Sequence, residues 1–376
     1  MQRTVIRGAG KYLIVLGIIA AVIIFGNSIK KVPLLADDKT EFAKAVVTDV
    51  INSNLQDDSG EIDGTVQEVT LLVKSGTFKG ESVKASSMNG YLYGAYCKVG
   101  TKVIVKISEY NGQLSGNIYN YDREGAIIVL IGIFLALMWL IGGKKGIDSI
   151  IALVFTFVII IFFYIPLMYI GLSPFLAAVI STLIITIVSM ILIADFSKKS
   201  IAAIAGTICG VVVAGIIATI FGKIGHINGY NTDEIETMIY VGQQSKLNIG
   251  GLLFSGILIA SLGAVMDVAM SVSTSLTEIY NKNNDITFKE MFASGIHIGR
   301  DMIGTMSNTL ILAFAGSSIN MIMIIYAYSY AFHQVMNMYS VGIEIMRGIA
   351  GTIGIILAVP FTSFITAVLY TGHTNK

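Results

Sequence analysis

The sequence predicts a polytopic α-helical membrane protein of about eight transmembrane helices, with a small all-β extracytoplasmic domain after the first helix. Three observations predict it. Of 376 residues, 54% are hydrophobic and 13% charged, and mean hydropathy is +0.76, whereas soluble domains carry about 25% charged residues. Apolar runs of about 20 residues, enough to cross a bilayer, recur after Gly125. Charges and turn signals concentrate instead between Lys30 and Asp122. The organisation read from these shifts is a cytoplasmic N-terminus with an anchor helix over 1–29, an extracytoplasmic β-barrel-like domain over 30–122, and a seven-helix membrane domain over 123–376.

The first helix carries Arg3, Arg7 and Lys11 ahead of an apolar run from Tyr12 to Phe25. A secretory signal peptide has the same layout. Gly26-Asn27-Ser28 lacks the A-x-A cleavage pattern, so the run reads as a retained anchor. The second segment has strand-like runs at 65–73 and 102–107. They are separated by turn signals at 57–60, 63–64, 75–76, 89–90 and 111–112. β-Branched runs broken every 8–12 residues predict a small barrel or sandwich.

Further spans are expected near 125–142, 148–168, 174–194, 200–221, 249–272, 302–326 and 347–370. Lys and Arg near span ends set orientation. Arg3, Arg7 and Lys11 hold the N-terminus inside. Lys144/Lys145, Lys198/Lys199, the basic residues between Lys282 and Arg300 and the C-terminus then also fall inside, and the β domain falls outside. Residues 222–248 read as an external loop. Residues 273–298 are amphipathic, and read as an interfacial helix linking two spans or as a partner-binding element.

A charge within a span is costly and marks a functional hypothesis. On the sixth span Gly256, Ala260, Gly263, Ala264, Asp267 and Ser271 share one helical face. Small residues let a neighbouring backbone approach, which places the acid in a protein interior. A buried carboxyl that takes and releases protons is what a proton-coupled device needs. The next span opens with Arg300, Asp301, Thr305, Asn308 and Thr309. Antiparallel packing of the two spans offers Arg300 or Asn308 to Asp267. A purely structural polar cluster uses the same residues. Gly206 and Gly210 mark a close-packing face on the fifth span, and Gly256 and Gly263 one on the sixth. Glu344 and Arg347, one turn apart, read as an ion pair at the outer edge.

HExxH, GxSxG and Walker A sequences are absent, and the four histidines are scattered; neither an enzyme, a metal nor a cofactor is expected. A net charge of +1 gives no case for nucleic acid. Cys97 and Cys209 form neither a disulfide framework nor a CxxC site.

Residues 262–271, from Leu262 through Asp267 to Ser271, and 298–310, from Ile298 through Arg300-Asp301 to Leu310, resemble the YibE/F family of bacterial multi-pass membrane proteins. The resemblance covers most of the chain from the β domain onward. It implies a plasma-membrane protein, chiefly of Gram-positive bacteria, and supplies no substrate. A second pattern is similar to the membrane subunits of protein export and the resistance-nodulation-division exporters. Its order here is Gly251, Gly256, Gly263, Asp267, Glu278, then Arg300, Thr305 and Thr309. The chain departs from that pattern by having four spans between the β domain and the Asp267 helix. Together these readings make a proton-coupled transporter or export-assisting permease the leading expectation. Its partners would be the bilayer, protons, and an unknown solute or exported protein. The rival is a non-transporting scaffold or sensor whose β domain binds a cell-envelope partner. Oligomeric state stays open.

Overall fold

The computed structural model describes residues 2–30, 40–53, 66–88, 94–110, 112–232 and 235–372, with side chains from residue 10 onward. The side chains of Arg3 and Arg7 lie outside the described residues. So do the turn signals at 57–60, 63–64 and 89–90, the residues Asn111, Asp233 and Glu234, and His373. The chain divides into two compact units, Pro33–Leu137 and Met1–Val32 with Met138–Lys376.

The smaller unit contains β1 (Thr40–Ser53), β2 (Val66–Val73), β3 (Ser82–Met88), β4 (Lys102–Tyr110) and β5 (Gln113–Tyr121). They close into a barrel in the order β1-β2-β3-β5-β4. Neighbours are antiparallel except β3 and β5, which run parallel over Lys84–Ser86. The two-residue period of a strand sends Val69, Leu71 and Val73 inward on β2 and Val103, Val105 and Ile107 inward on β4. Gly116 lets β5 enter between its neighbours, because a Cβ there would lie 2.9 Å from the Ala85 Cβ and 3.0 Å from Val105 Cγ2. The turn at Ser75-Gly76 has Gly76 at φ +82°. There the Thr77 N–H donates to both carboxylate oxygens of Glu41 at 3.1 Å. Gln67 is 1% exposed. Its Oε1 accepts the Cys97 N–H at 2.7 Å and its Nε2 donates to the Cys97 carbonyl at 3.4 Å, pinning the segment before β4 to β2.

In the larger unit the helices are α1 (Gln2–Ser28), α2 (Glu124–Ile159), α3 (Ile165–Tyr169), α4 (Pro174–Ala194), α5 (Lys198–Ile224), α6 (Ile235–Gln244), α7 (Leu252–Lys282), α8 (Phe288–Ser317), α9 (Ile319–Ala327), α10 (Phe332–Met336) and α11 (Tyr339–Thr371). The first half of α2 belongs to the smaller unit. Among the described residues, six helical runs are long and apolar enough to cross a membrane, and α8 with α9 forms a further, bent run. The chain is a membrane protein with several such helices.

Three departures from straight spans occur, the first two with a local cause. The spans expected at 125–142 and 148–168 form one helical run of 46 residues, Glu124–Tyr169. It is broken at Gly143, whose φ of 54° and ψ of −130° suit glycine. A methyl at Gly146 would strike the Met138 carbonyl, so the break needs glycine there too. Near the end of this run Pro166 has no N–H to offer Phe162, and residues Ile160–Tyr164 widen into a π turn. Helix α1 packs on this turn through Gly26, where a Cβ would lie 2.6 Å from the Phe162 carbonyl oxygen. The third departure is at Ser318, where α8 turns into α9 through 64°, so the span expected at 302–326 is not straight.

The segment 273–298 corrects an expectation. It is not a separate interfacial helix but the tip of a hairpin. Helix α7 runs on to Lys282, and α8 starts at Phe288 under a capping box in which Thr287 and Glu290 satisfy each other's backbone N–H groups.

Helices α5 and α11 make the closest packing. A Cβ on Gly206 would collide with Thr362, and one on Gly210 would lie 2.7 Å from the Gly354 carbonyl oxygen and 3.0 Å from the Ala358 Cβ. The core around them comprises Val211, Leu258, Val265, Val268, Ile355 and Val359, among others.

Two outcomes are expected. Gly210→Ala overpacks this contact and costs about 1–3 kcal/mol, lowering the detergent melting temperature. Gly263→Ala, with nothing within 4 Å of its Cβ position, does not lower it, since alanine is the better helix former. In the barrel, burial pushes the Cys97 thiol above its ordinary range. The folded chain therefore keeps a proton that the unfolded chain gives up, and stability falls as pH rises past about 8.5. Melting of a Cys209→Ser chain is expected to decline over that range, and the decline shrinks when Cys97→Ala is added.

Candidate functional site

Helix α7 carries two faces at helical spacing. Leu258, Leu262, Val265, Val268, Val272 and Leu276 form one and are buried. Gly256, Ala260, Gly263 and Asp267 form the other and are exposed on the chain's surface. The expectation that this small-residue strip meets a neighbouring backbone within the chain is corrected: nothing lies within 4 Å of a Cβ built on Gly256 or Gly263. The reason is fit: Gly210 and Gly215 of α5 and Gly354 of α11 leave hollows against which Val265 and Leu258 of the aliphatic face pack, and side chains of that size make more van der Waals contacts there than glycine or alanine could.

Asp267 accordingly lies on the outer side of α7. Ser271, one turn on, is half-buried. On α8, Arg300, Asp301, Gly304, Thr305, Asn308 and Thr309 are all exposed, while Gly295 and Gly299 press against Ser363 and Val359 of α11. Helices α7 and α8 pack together. Among the described residues, however, Asp267 forms no ion pair with Arg300 and no hydrogen bond with Asn308. Thr305 donates to the Met302 carbonyl at 3.1 Å and Thr309 to the Thr305 carbonyl at 2.9 Å. These hydroxyls keep free lone pairs as acceptors.

A different ionic contact lies at the base of α1, and sequence reasoning missed it. Asp148, 5% exposed, accepts a hydrogen bond from the Tyr12 hydroxyl at 2.6 Å and lies 3.5 Å from Lys11 Nζ. Lys11 also donates to the Leu192 carbonyl at 3.1 Å and reaches Asp195 at 3.4 Å. Asp195 is otherwise exposed to solvent and has a positive φ of 56°. The only signal for this network is Asp148, an acid four residues after Lys144. Lys11 reads equally well as a plain topological anchor.

At the opposite end of α11, Glu344 Oε1 accepts from Arg347 Nη1 at 2.6 Å, the ion pair that their spacing suggests. Among the described residues no cluster of His, Cys, Asp and Glu could hold a metal ion.

The description YibE/F-like protein matches residues 130–372, from α2 to the end of α11. The chain belongs to the YibE/F family. Asp267, the α8 polar face and the Lys11 contacts at Asp148 and Asp195 all involve residues of this matched region. No curated protein and no solved structure matches the chain, so the family carries no activity across to it.

Because Asp148 is buried with both its partners on α1, removing the lysine leaves a carboxylate without its counter-charge. Lys11→Met is expected to destabilise by about 3–5 kcal/mol, seen as a lowered melting temperature and faster proteolysis of the first helix. Tyr12→Phe, which removes only the hydrogen bond, costs about 1.5–3 kcal/mol.

Proposed function

We propose that the chain is a proton-coupled permease of the bacterial plasma membrane, with Asp267 as its proton-binding group. One observation carries this reading. Among the described residues Asp267, on a long apolar helix, has no counter-charge and no hydrogen-bond donor, and the charged and amide side chains of the α8 face are equally unpaired. An ionised carboxylate is unstable in hydrocarbon. It is tolerated facing a water-filled path, or after taking a proton. Alternation between these two conditions is the elementary step of proton coupling: the carboxylate binds a proton from one side, crosses as the neutral acid, and releases it to the other. Arg300 and Asn308 lie on α8, a packed neighbour of α7, where a small relative movement of the helices offers Asp267 a cation or a donor. Asp301, Thr305 and Thr309 extend the polar lining, and Ser271 continues it along α7.

The crossing number that goes with this reading is eight. The Glu124–Tyr169 run extends roughly 69 Å at 1.5 Å per residue, more than twice a hydrocarbon core, so the Gly143 break separates two spans. With α8 and α9 as one bent crossing, the basic residues near span ends put both termini in the cytoplasm. The barrel then lies outside, placed to meet a solute or an exported protein.

The test is proton flux in sealed proteoliposomes under an imposed pH gradient. Asp267→Asn is expected to abolish flux while leaving the melting curve unchanged. Flux retained in that variant removes Asp267 from the mechanism. Flux absent from the wild type, together with a lowered melting temperature for Asp267→Asn, replaces the permease with a membrane scaffold whose polar face is structural.

A further inference from the structure

The bend at Ser318 opens a hollow between α8–α9 and the first three turns of α11. Its larger chamber, about 530 Å³, is walled by Ile311, Phe314, Ile322, Ile325, Val341 and Ile349, among others. A second chamber of about 280 Å³ is lined by Asn231, Ser317, Asn320, Ser340 and Arg347, among others. Ser318, Met321 and Glu344 line both. An almost wholly apolar chamber thus adjoins a polar one, with an acid where they meet. The larger lies within the size range of small-molecule sites.

Glu344 is the informative residue. Its Oε1 accepts from Arg347, but its Oε2 is buried and finds no donor among the described residues. A buried carboxylate oxygen without a donor carries an uncompensated desolvation cost. Arg347, for its part, has five N–H donors and gives Glu344 only its Nη1 contact. It retains the planar fork that suits a phosphate. The chambers therefore ask for a molecule with three parts: a long apolar chain, a phosphate, and a cation that still has N–H bonds to donate.

We propose that this hollow binds one phospholipid with a primary-ammonium headgroup. One acyl chain fills the apolar chamber, the phosphate faces Arg347, and the ammonium donates to Glu344 Oε2. A choline headgroup has the same charge and the same phosphate, but three methyls replace its N–H bonds. It leaves Oε2 unsatisfied and is discriminated against. The site is separate from Asp267 and does not rest on proton coupling.

The experiment is native mass spectrometry of the full chain, purified in detergent and offered dioleoylphosphatidylethanolamine or dioleoylphosphatidylcholine, whose acyl chains are identical. Wild type is expected to retain the ethanolamine lipid about tenfold more, the scale of one charge-assisted hydrogen bond. Glu344→Gln brings the two lipids level. Gly348→Leu reduces retention of both, because a Cβ there lies 3.9 Å from Ile311 and Phe314 without a clash and a larger side chain extends into the apolar chamber. This second variant decides the matter if Glu344→Gln does not fold. Equal retention of the two lipids by wild type, retention of neither, or retention unchanged in the folded variants overturns the proposal.

Discussion

The close approach of α5 and α11 is the constraint on which the helical unit depends. In a bilayer, apolar helices gain nothing by hiding from lipid, so association relies on contact between well-fitted surfaces. Gly206 against Thr362, and Gly210 against Gly354 and Ala358, bring two backbones together where any β-carbon would hold them apart. Helix α7 lies against both of these helices and α8 lies against α11. Which side of α7 faces inward, and hence where Asp267 stands, follows from the surface that α5 and α11 jointly present.

Polar groups in this unit are of several kinds. Many buried hydroxyls are satisfied by their own helix: Thr186 donates to the Thr182 carbonyl, Thr207 to Ala203 and Thr366 to Thr362, each at 2.7 Å, while those of Ser181, Thr362 and Ser363 find no partner among the described residues. The satisfied hydroxyls carry little energetic penalty and need no explanation beyond packing. Asp267, Arg300, Asp301 and Asn308 are of another kind. Among the described residues their side chains form no ion pair and no hydrogen bond within their own helices, so their cost must be met by water, by protonation or by another molecule. The polar groups that carry the functional reading are therefore the unsatisfied ones, and most polar side chains in the helices are not among them.

The long apolar runs were legible because hydropathy over 20 residues is a strong signal. So were the β strands, whose alternation survives in β2 and β4. The inner and outer faces of α7 were not. Its small and its large residues both recur at helical spacing, and periodicity alone does not say which stripe a neighbour covers. Small residues suggest an interface, whereas the glycine hollows of α5 and α11 receive the aliphatic stripe. The Lys11–Asp148 contact was invisible for another reason: its partners are 137 residues apart and share no motif. The π turn at Ile160–Tyr164 had a cause in view, Pro166, but the sequence does not say whether a proline bends a helix, widens it or ends it.

The ring of five strands has one more consequence. Sheets with open edges recruit extended peptides by backbone pairing, a mode of recognition that is tolerant of sequence. In this barrel β1 pairs with both β2 and β4, and β5 closes the circuit between β4 and β3. With most of the ladder spent on itself, and only the β3–β5 seam paired over as few as the three residues Lys84–Ser86, strand addition by a visiting chain is disfavoured, and the liability of edge-to-edge aggregation is reduced as well. Whatever meets this domain is read mainly by side chains and connecting segments, which makes its selectivity a matter of surface chemistry, tunable one residue at a time.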